Sequence, residues 1–277
     1  MSHELPMIAE WEAQDRVEAV FVDIRRAFPY VPMLFRALAL QPVGLILAWE
    51  HARSVLRSPH ILEAALRLEK VATPTGSLVR LPWHQLSPFR QDALRAILDH
   101  FAQTMPVHGL MLTSLGLALA GETTADPVTL SDWRAEGHPM LMPTFDLIEP
   151  DDAPQAVRHR FAQIRSLVGL PYIEAFWRAL ASDPILLDAV WNGVSRQTDR
   201  HGFLAQETRT CESARHLAAS LTPPHVLSPM ALTRAGIAET LPAILRLIGM
   251  MAGGALRHTV ICMALSADIE RQSAQAA

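Results

Sequence analysis

The sequence of 277 residues contains only two cysteines, Cys211 and Cys262, which lie far apart and belong to no C-x-x-C motif. This excludes a disulfide framework and a thioredoxin-like redox motif. Basic residues form no dense run and the formal net charge is -4, so we expect no nucleic-acid partner, which would need a clustered positive surface. The motifs G-x-G-x-x-G, Walker A, H-E-x-x-H and G-x-S-x-G are absent, and we expect no cofactor.

A membrane-spanning segment is not expected either. The N-terminal stretch MSHELPMIAEWEAQD is acidic and lacks an apolar core, so we predict no secretion signal and a cytoplasmic protein. The longest uncharged run, FAQTMPVHGLMLTSLGLALAG, covers residues 101–121. About 20 apolar residues would suffice to cross a membrane, but polar residues and a proline crowd the first third of this run. We therefore predict that it forms a buried helix and that the protein has no membrane partner.

Hydrophobic periodicity is helical along most of the chain. In VEAVFVDIRRAF the apolar residues recur every three or four positions, at Val17, Val20, Phe21, Ile24 and Phe28. Further helices are predicted after Pro32 and Pro42, because proline fits the first turn of a helix, and in HILEAALRLEKVA and FRQDALRAILDHF. No alternating pattern bounded by hairpin turns occurs. The sequence therefore predicts an all-α fold.

A long segment of the chain occurs twice. PYVPMLFRALALQPVGLILAW, from Pro29, returns as PYIEAFWRALASDPILLDAVW, from Pro171. Nine of the 21 aligned positions are identical, among them the pairs Arg36/Arg178 and Trp49/Trp191. The tripeptide LSP at Leu86 also returns at Leu227. We therefore predict a tandem duplicated helical repeat that forms an intramolecular pseudo-dimer, with residues 1–120 as the first repeat, 121–154 as a linker and 155–277 as the second repeat.

Such a duplication predicts where function lies. Arg36 and Arg178 occupy the same place in both copies, so we interpret them as structural residues that bond helix-end carbonyls or a nearby carboxylate. A cleft between two diverged copies carries different residues on its two sides, and ligand sites favour such junctions. We expect a small-molecule ligand or substrate in this inter-repeat cleft, and a homodimer stays open as a further partner.

The repeated R-A-L-A-x-x-P-x-x-L-x-x-x-W segment, the EGHPM stretch of the linker and the LSP tripeptides resemble the group I (DehI-type) 2-haloacid dehalogenases over most of the chain. The resemblance implies hydrolysis of carbon–halide bonds at a site between the halves, without a cofactor. It implies an Asp of the second repeat that activates a water for direct attack on the α-carbon, without a covalent intermediate and with inversion of either enantiomer. An Asn before a proline in the apolar helix is implied to hold that water.

Several of these family positions carry other residues here. The Asp falls at Phe176, the Ser before it at Ala175, and the Asn at Met105. The other implied pocket positions fall at Tyr30, Met33, His108 and Met251. Phe and Met accept no proton, although general-base help is worth about 10²–10⁴-fold in rate. Bringing Glu174 to the Asp position would require shifting a motif that is fixed on both sides, so we expect no carboxylate in the cleft.

Two functional hypotheses follow. The first is a divergent haloacid dehalogenase with a relocated base, for which His108 is the candidate because an unperturbed imidazole titrates near pH 6.5. The second is a non-hydrolytic relative that binds an apolar small molecule in the cleft. His258 and Cys262 share one helix face at i, i+4 spacing, but two ligands without a third predict no metal site.

Overall fold

The computed structural model describes residues 6–28, 30–122, 145–198, 200–221 and 227–276. Across these ranges the regular structure is helical and contains no β-strand, which confirms the predicted all-α fold. Three helices begin with a side-chain cap followed by proline, and the capping residues are Ser87, Asp183 and Ser228. Each cap oxygen accepts a backbone N–H that the first helical turn leaves unbonded.

The described helices fall into two series along the chain. The first series contains α1 (Asp15–Ile24), α2 (Met33–Leu38), α3 (Pro42–Leu56), α4 (Ile61–Ala72) and α5 (Pro88–Ala120). The second contains α6 (Gln155–Val168), α7 (Ala175–Leu180), α8 (Pro184–Val194), α9 (His201–Leu221), α10 (Pro229–Arg234) and α11 (Leu241–Ala276). Short 3-10 turns occupy Glu10–Glu12, Trp83–Gln85 and Ala238–Thr240.

The two longest helices, α5 and α11, pack against each other at the centre of the fold. A Cβ atom on Gly109 of α5 would lie 2.6 Å from Cδ2 of Leu256 in α11, so glycine permits their close approach. Pro106 lies inside α5 and cannot donate the usual helical hydrogen bond to the carbonyl four residues earlier. The missing helical hydrogen bond at Pro106 therefore lies within one turn of the close approach of α11 at Gly109.

The two series have matching contacts. Each short helix packs against the long helix of the other series: α2 against α11, and α7 against α5. Arg36 Nε donates to the carbonyl of Ile8 at 3.3 Å, and Arg178 Nε donates to that of Ile148 at 3.4 Å. A duplicated fold requires this kind of correspondence. The duplication itself and the repeat boundaries stay predictions, which superposition of the two halves would test.

The halves also differ. In the first half, LSP begins the uninterrupted α5, whereas in the second half it begins only α10, which ends at Arg234. Gly236 follows in the left-handed region at a φ of 73°, and a 3-10 turn leads into α11. Glycine adopts this conformation without the steric penalty of a side chain. The second long helix therefore starts later relative to its LSP than the first one does.

Only the last part of the predicted linker is described. EGHPM lies outside the described residues, but the chain from Phe145 onwards packs on the fold. The Phe145 ring stacks on Phe101 with centroids 6.1 Å apart, and the backbone N–H of Ile148 donates to the carbonyl of Arg178 at 3.2 Å. The segment after the undescribed part of the linker is therefore attached to α5 through Phe145 and to α7 through Ile148.

One helix of the described chain, Ala238–Gln275, is long and apolar enough to cross a membrane. In its most apolar window 72% of the residues are buried within the fold, as in the core helix of a soluble protein. The uncharged run at residues 101–121 forms the end of α5 and is also largely buried. A cytoplasmic location stays a prediction.

A fully buried histidine connects α7 to α11. His258 Nε2 accepts a hydrogen bond from Trp177 Nε1 at 2.8 Å, and its Nδ1 lies 2.7 Å from the carbonyl oxygen of Gly254. Both ring nitrogens are thus engaged, which leaves neither for a metal shared with Cys262. No group of three or more potential metal ligands occurs within the described ranges.

Replacing this histidine is expected to destabilise the protein. His258→Ala leaves the buried Trp177 N–H without its acceptor and removes packed volume, so we expect the free energy of unfolding to fall by about 2–4 kcal/mol. Urea unfolding at neutral pH measures this change. The control is His216→Ala on the exposed face of α9, which should stay within about 0.5 kcal/mol of the parent. Equal losses in the two variants would contradict a stabilising role for His258.

Candidate active site

A cavity of about 50 Å³ lies where α2, α5, α7 and α11 approach one another. Residues from both halves of the chain line it: Tyr30, Val31, Pro32, Met33, Leu34, Met105, His108, Met111, Leu112, Tyr172, Glu174, Ala175, Arg178, Met251 and Ala255. A single water needs roughly 10–15 Å³ measured in this way. The space is therefore suited to a few waters or one small organic molecule.

Most of the site residues predicted from the sequence line this cavity. They are Tyr30, Met33, Met105, His108, Ala175 and Met251. Phe176 is not among the lining residues. Its side chain is fully buried in an aromatic cluster, with ring centroids 5.6 Å from Phe101 and 5.0 Å from Trp177. Phe176 therefore packs the core behind the cavity wall.

A carboxyl group lies in the cavity, and the prediction that none would reach it is wrong. Glu174 is the N-cap residue of α7, with extended backbone angles, and it lines the cavity. Because it precedes the first helical turn, its side chain is not bound to the helical register that places Phe176 in the core. Tyr172 Oη donates a hydrogen bond to Glu174 Oε1 at 2.9 Å. The structure thus brings a proton acceptor into the cavity without any shift of the repeated motif.

The environment of Glu174 changes its acidity. Burial raises the pKa of this carboxyl from 4.5 to about 7, because the charged form loses its hydration. The Tyr172 hydrogen bond, the positive charge of Arg178 and the backbone N–H of Ala175 act in the opposite direction. Glu174 has intermediate exposure, which a residue lining a cavity keeps even when protein surrounds its carboxyl. Near neutral pH a large fraction of Glu174 is therefore ionised and able to take up a proton.

His108 lines the cavity as predicted, but its pKa is lower than that of a free imidazole. Its ring packs on Phe28 with centroids 4.9 Å apart, and burial, together with His100, lowers its pKa to about 4. Its Nε2 atom is buried and has no hydrogen-bond partner among the residues that the structure describes. His108 is therefore neutral at physiological pH, which makes it a weak base but leaves its Nε2 available for a hydrogen bond.

Arg178 supplies the positive charge beside the cavity. Only 5% of this residue is exposed, and its guanidinium bonds the carbonyl of Ile148 and the carboxylate of Glu149. Burial lowers the pKa of Arg178 and Glu149 opposes that change, but arginine remains charged at neutral pH. The pKa of Tyr30 is raised by burial and by the nearby Glu174. The same cavity is therefore lined by two charged residues, Glu174 and Arg178, and by two tyrosines, Tyr30 and Tyr172.

No protein-family model matches the sequence, and no curated protein sequence matches it. Solved structures do match it. A D-2-haloacid dehalogenase mutant in complex with D-2-CPA superimposes with a TM-score of 0.81 at 17% sequence identity, covering 95% of each chain. The chain has the fold of a D-2-haloacid dehalogenase. Two other structures agree: D-2-haloacid dehalogenase with L-LA (TM-score 0.80, 16% identity, 95% of this chain and 96% of that one) and a D-2-halacid dehalogenase mutant (0.78, 17%, 95% of both).

The match confirms the resemblance that the repeated motif predicted. It extends over nearly the whole chain, so the dehalogenase fold includes both helix series and the cavity between them. At this level of identity the match establishes the fold alone.

Within the dehalogenase fold, the raised pKa of Glu174 predicts a pH-dependent loss of stability. The folded state binds this proton more tightly than the unfolded state, so stability falls as pH rises from 4.5 to about 7. Glu174→Gln keeps an acceptor for Tyr172 but carries no charge. At about pH 8 we expect this variant to exceed the parent by up to roughly 3 kcal/mol, with little difference at low pH.

Urea unfolding at several pH values between about 4.5 and 8 measures this difference. Glu63→Gln removes a carboxylate from an exposed position of α4 and should show no such pH-dependent gain. A Glu174→Gln curve parallel to that of the parent over this whole range would contradict the raised pKa.

Proposed function

We propose that this protein is a hydrolase that replaces the halide of a small 2-haloacid by hydroxyl, with Glu174 as the general base. The observation that carries the proposal is the Glu174 carboxyl, whose pKa of about 7 lies in the range suited to base catalysis, inside a cavity of the dehalogenase fold. The similar structures are of D-2-haloacid dehalogenases, which supports 2-haloacids as the substrate class. The small cavity supports substrates of a few carbon atoms.

The proposed reaction is a direct displacement. Ionised Glu174 accepts a proton from a water while the water oxygen attacks the α-carbon on the side opposite the halogen. The new carbon–oxygen bond forms as the carbon–halogen bond breaks, and the halide leaves with the bonding electron pair. The product is a 2-hydroxyacid of inverted configuration. Glu174 then releases its proton to solvent, which completes the balance of water and haloacid against hydroxyacid, halide and proton.

Glu174 is better suited to be the base than His108, the candidate predicted from the sequence. A base whose conjugate acid has a pKa of about 4 takes a proton from water much less readily than one with a pKa of about 7. The hydrogen bond from Tyr172 also fixes the orientation of the Glu174 carboxyl group. His108 remains a neutral hydrogen-bonding group of the same cavity.

The polar groups of the cavity disfavour the alternative of a non-hydrolytic relative that binds an apolar molecule. An apolar ligand would displace water from Glu174, Arg178 and His108 Nε2 without supplying hydrogen bonds. Leaving buried polar groups unpaired costs about 1–3 kcal/mol each, and more for charged groups. A ligand with its own polar atoms therefore fits this lining better.

Halide release tests the proposal. The parent protein should release halide from D- or L-2-chloropropionate, or from both, and Glu174→Gln should lower the rate by about 10²–10⁴-fold. Because the base acts in its ionised form, kcat/KM should rise with pH through an apparent pKa of about 7 and then level off. Ion chromatography or a halide electrode measures the rates.

The surface variant Glu63→Gln serves as the matched control and should keep parental activity. Absence of halide release at every pH from both enantiomers, in folded protein, would remove the proposed function. Full activity in Glu174→Gln would leave a dehalogenase but exclude Glu174 as its base.

Oxygen isotopes distinguish direct attack by water from attack by Glu174 itself. In a single turnover with enzyme in excess in ¹⁸O-labelled water, direct attack places the label in the hydroxyacid product. A covalent ester on Glu174 would instead place unlabelled carboxylate oxygen in the first product and the label in the protein. Mass spectrometry of both measures the outcome, and label in a Glu174 peptide would contradict general-base attack.

A further inference from the structure

His108 carries the one polar atom of the cavity lining that is buried without a hydrogen-bond partner within the described chain. Only 8% of the residue is exposed, and its ring is held against Phe28. An unpaired buried polar atom costs about 1–3 kcal/mol, and such atoms are rare in folded proteins. This atom is therefore placed to bond a molecule that occupies the cavity. In the tautomer with hydrogen on Nε2, the neutral ring donates that bond.

Arg178, which also lines the cavity, offers further donors. A guanidinium carries five N–H groups in a planar fork that matches a carboxylate. Across the described residues, Arg178 uses Nε for the carbonyl of Ile148 and Nη2 for Glu149, so the N–H groups of Nη1 remain for a ligand. Arg36 lies close enough to affect Arg178 electrostatically, which adds a second positive charge near this guanidinium. These positive charges offset the negative charges of Glu149 and ionised Glu174, and the N–H fork of Arg178 favours a carboxylate over a neutral ligand.

We propose that His108 Nε2 and the Arg178 guanidinium together bind the carboxylate of the substrate. His108 belongs to α5 and Arg178 to α7, so each half of the chain supplies one part of this subsite. The assignment rests on the proposed function for its substrate class, but the carboxylate subsite is detectable without any reaction. Two roles are thereby separated: His108 and Arg178 bind the acid, whereas Glu174 activates the water.

The remaining lining residues are consistent with this division. Tyr172 and Glu174 are hydrogen-bonded to each other and precede α7. In the proposed reaction this pair serves the water rather than the carboxylate. Four methionines, Met33, Met105, Met111 and Met251, surround the same space with polarizable, flexible side chains. Their apolar surfaces suit the α-carbon substituents and the halogen, neither of which requires a hydrogen bond.

Calorimetric titration with unreactive acids tests the subsite. The parent protein should bind propionate, and its neutral isostere propionamide should bind at least about 10-fold more weakly. His108→Phe keeps the aromatic packing on Phe28 but removes the nitrogen, and it should weaken propionate binding about 10- to 100-fold. His108→Gln restores an N–H donor and should recover much of the affinity. The exposed variant His216→Gln is the matched control.

The outcomes separate this inference from the proposed function. Equal affinity for propionate and propionamide, no propionate binding, or unchanged affinity in folded His108→Phe would overturn the carboxylate subsite, and halide release would still support the hydrolase. Propionate binding that depends on His108, without halide release, would support the subsite and remove the proposed reaction. The comparison of the two ligands on the parent protein decides the matter even where a variant does not fold.

Discussion

The burial of one carboxyl group, that of Glu174, determines the chemistry of the cavity. Loss of hydration raises the pKa of this group, and the Tyr172 hydroxyl and the Arg178 charge offset only part of that effect. The chain before α7, which carries Tyr172, lies close to α11. Gly254 of α11 permits this, because a Cβ there would lie 2.7 Å from Cδ1 of Leu170 and 3.4 Å from Tyr172 Oη. Gly254 of the central helix α11 thus leaves room for the Tyr172–Glu174 pair at the start of α7.

The two halves of the chain contribute partly different residues to the cavity. In the aligned segments Tyr30 corresponds to Tyr172, and both line the cavity, whereas Glu174 corresponds to Pro32. A proline can neither take up a proton nor carry charge, so only the second half supplies a carboxyl group to the cavity. The arginines show the opposite pattern, since Arg36 and Arg178 make the same contact with a carbonyl in each half. Arg178 differs in its ion pair with Glu149 and in its place at the cavity.

Periodicity predicted the helices well because burial of one face imposes a regular spacing that needs no knowledge of the partner surface. The motif resemblance predicted Tyr30, Met33, Met105, His108, Ala175 and Met251 as lining residues because the fold fixes backbone positions. It could not place Glu174, since position along a motif does not reveal where the helix begins. A residue one step before α7 is free of helical geometry, and its longer side chain reaches the cavity. Nor could spacing reveal the pKa of His108, which depends on burial by Phe28 and other distant residues.

The pKa values of Glu174 and His108, which both line the cavity, are shifted in opposite directions by the same cause. Burial disfavours charge on both, so it raises the pKa of Glu174 to about 7 and lowers that of His108 to about 4. Between these values the imidazole is neutral and the carboxyl titrates, which assigns the hydrogen-bonding role to one and the proton-accepting role to the other. Arg178 moderates the shift of Glu174, because its positive charge keeps part of the carboxyl ionised near neutral pH. A less compensated glutamate would remain protonated, and a fully exposed one would be too weak a base.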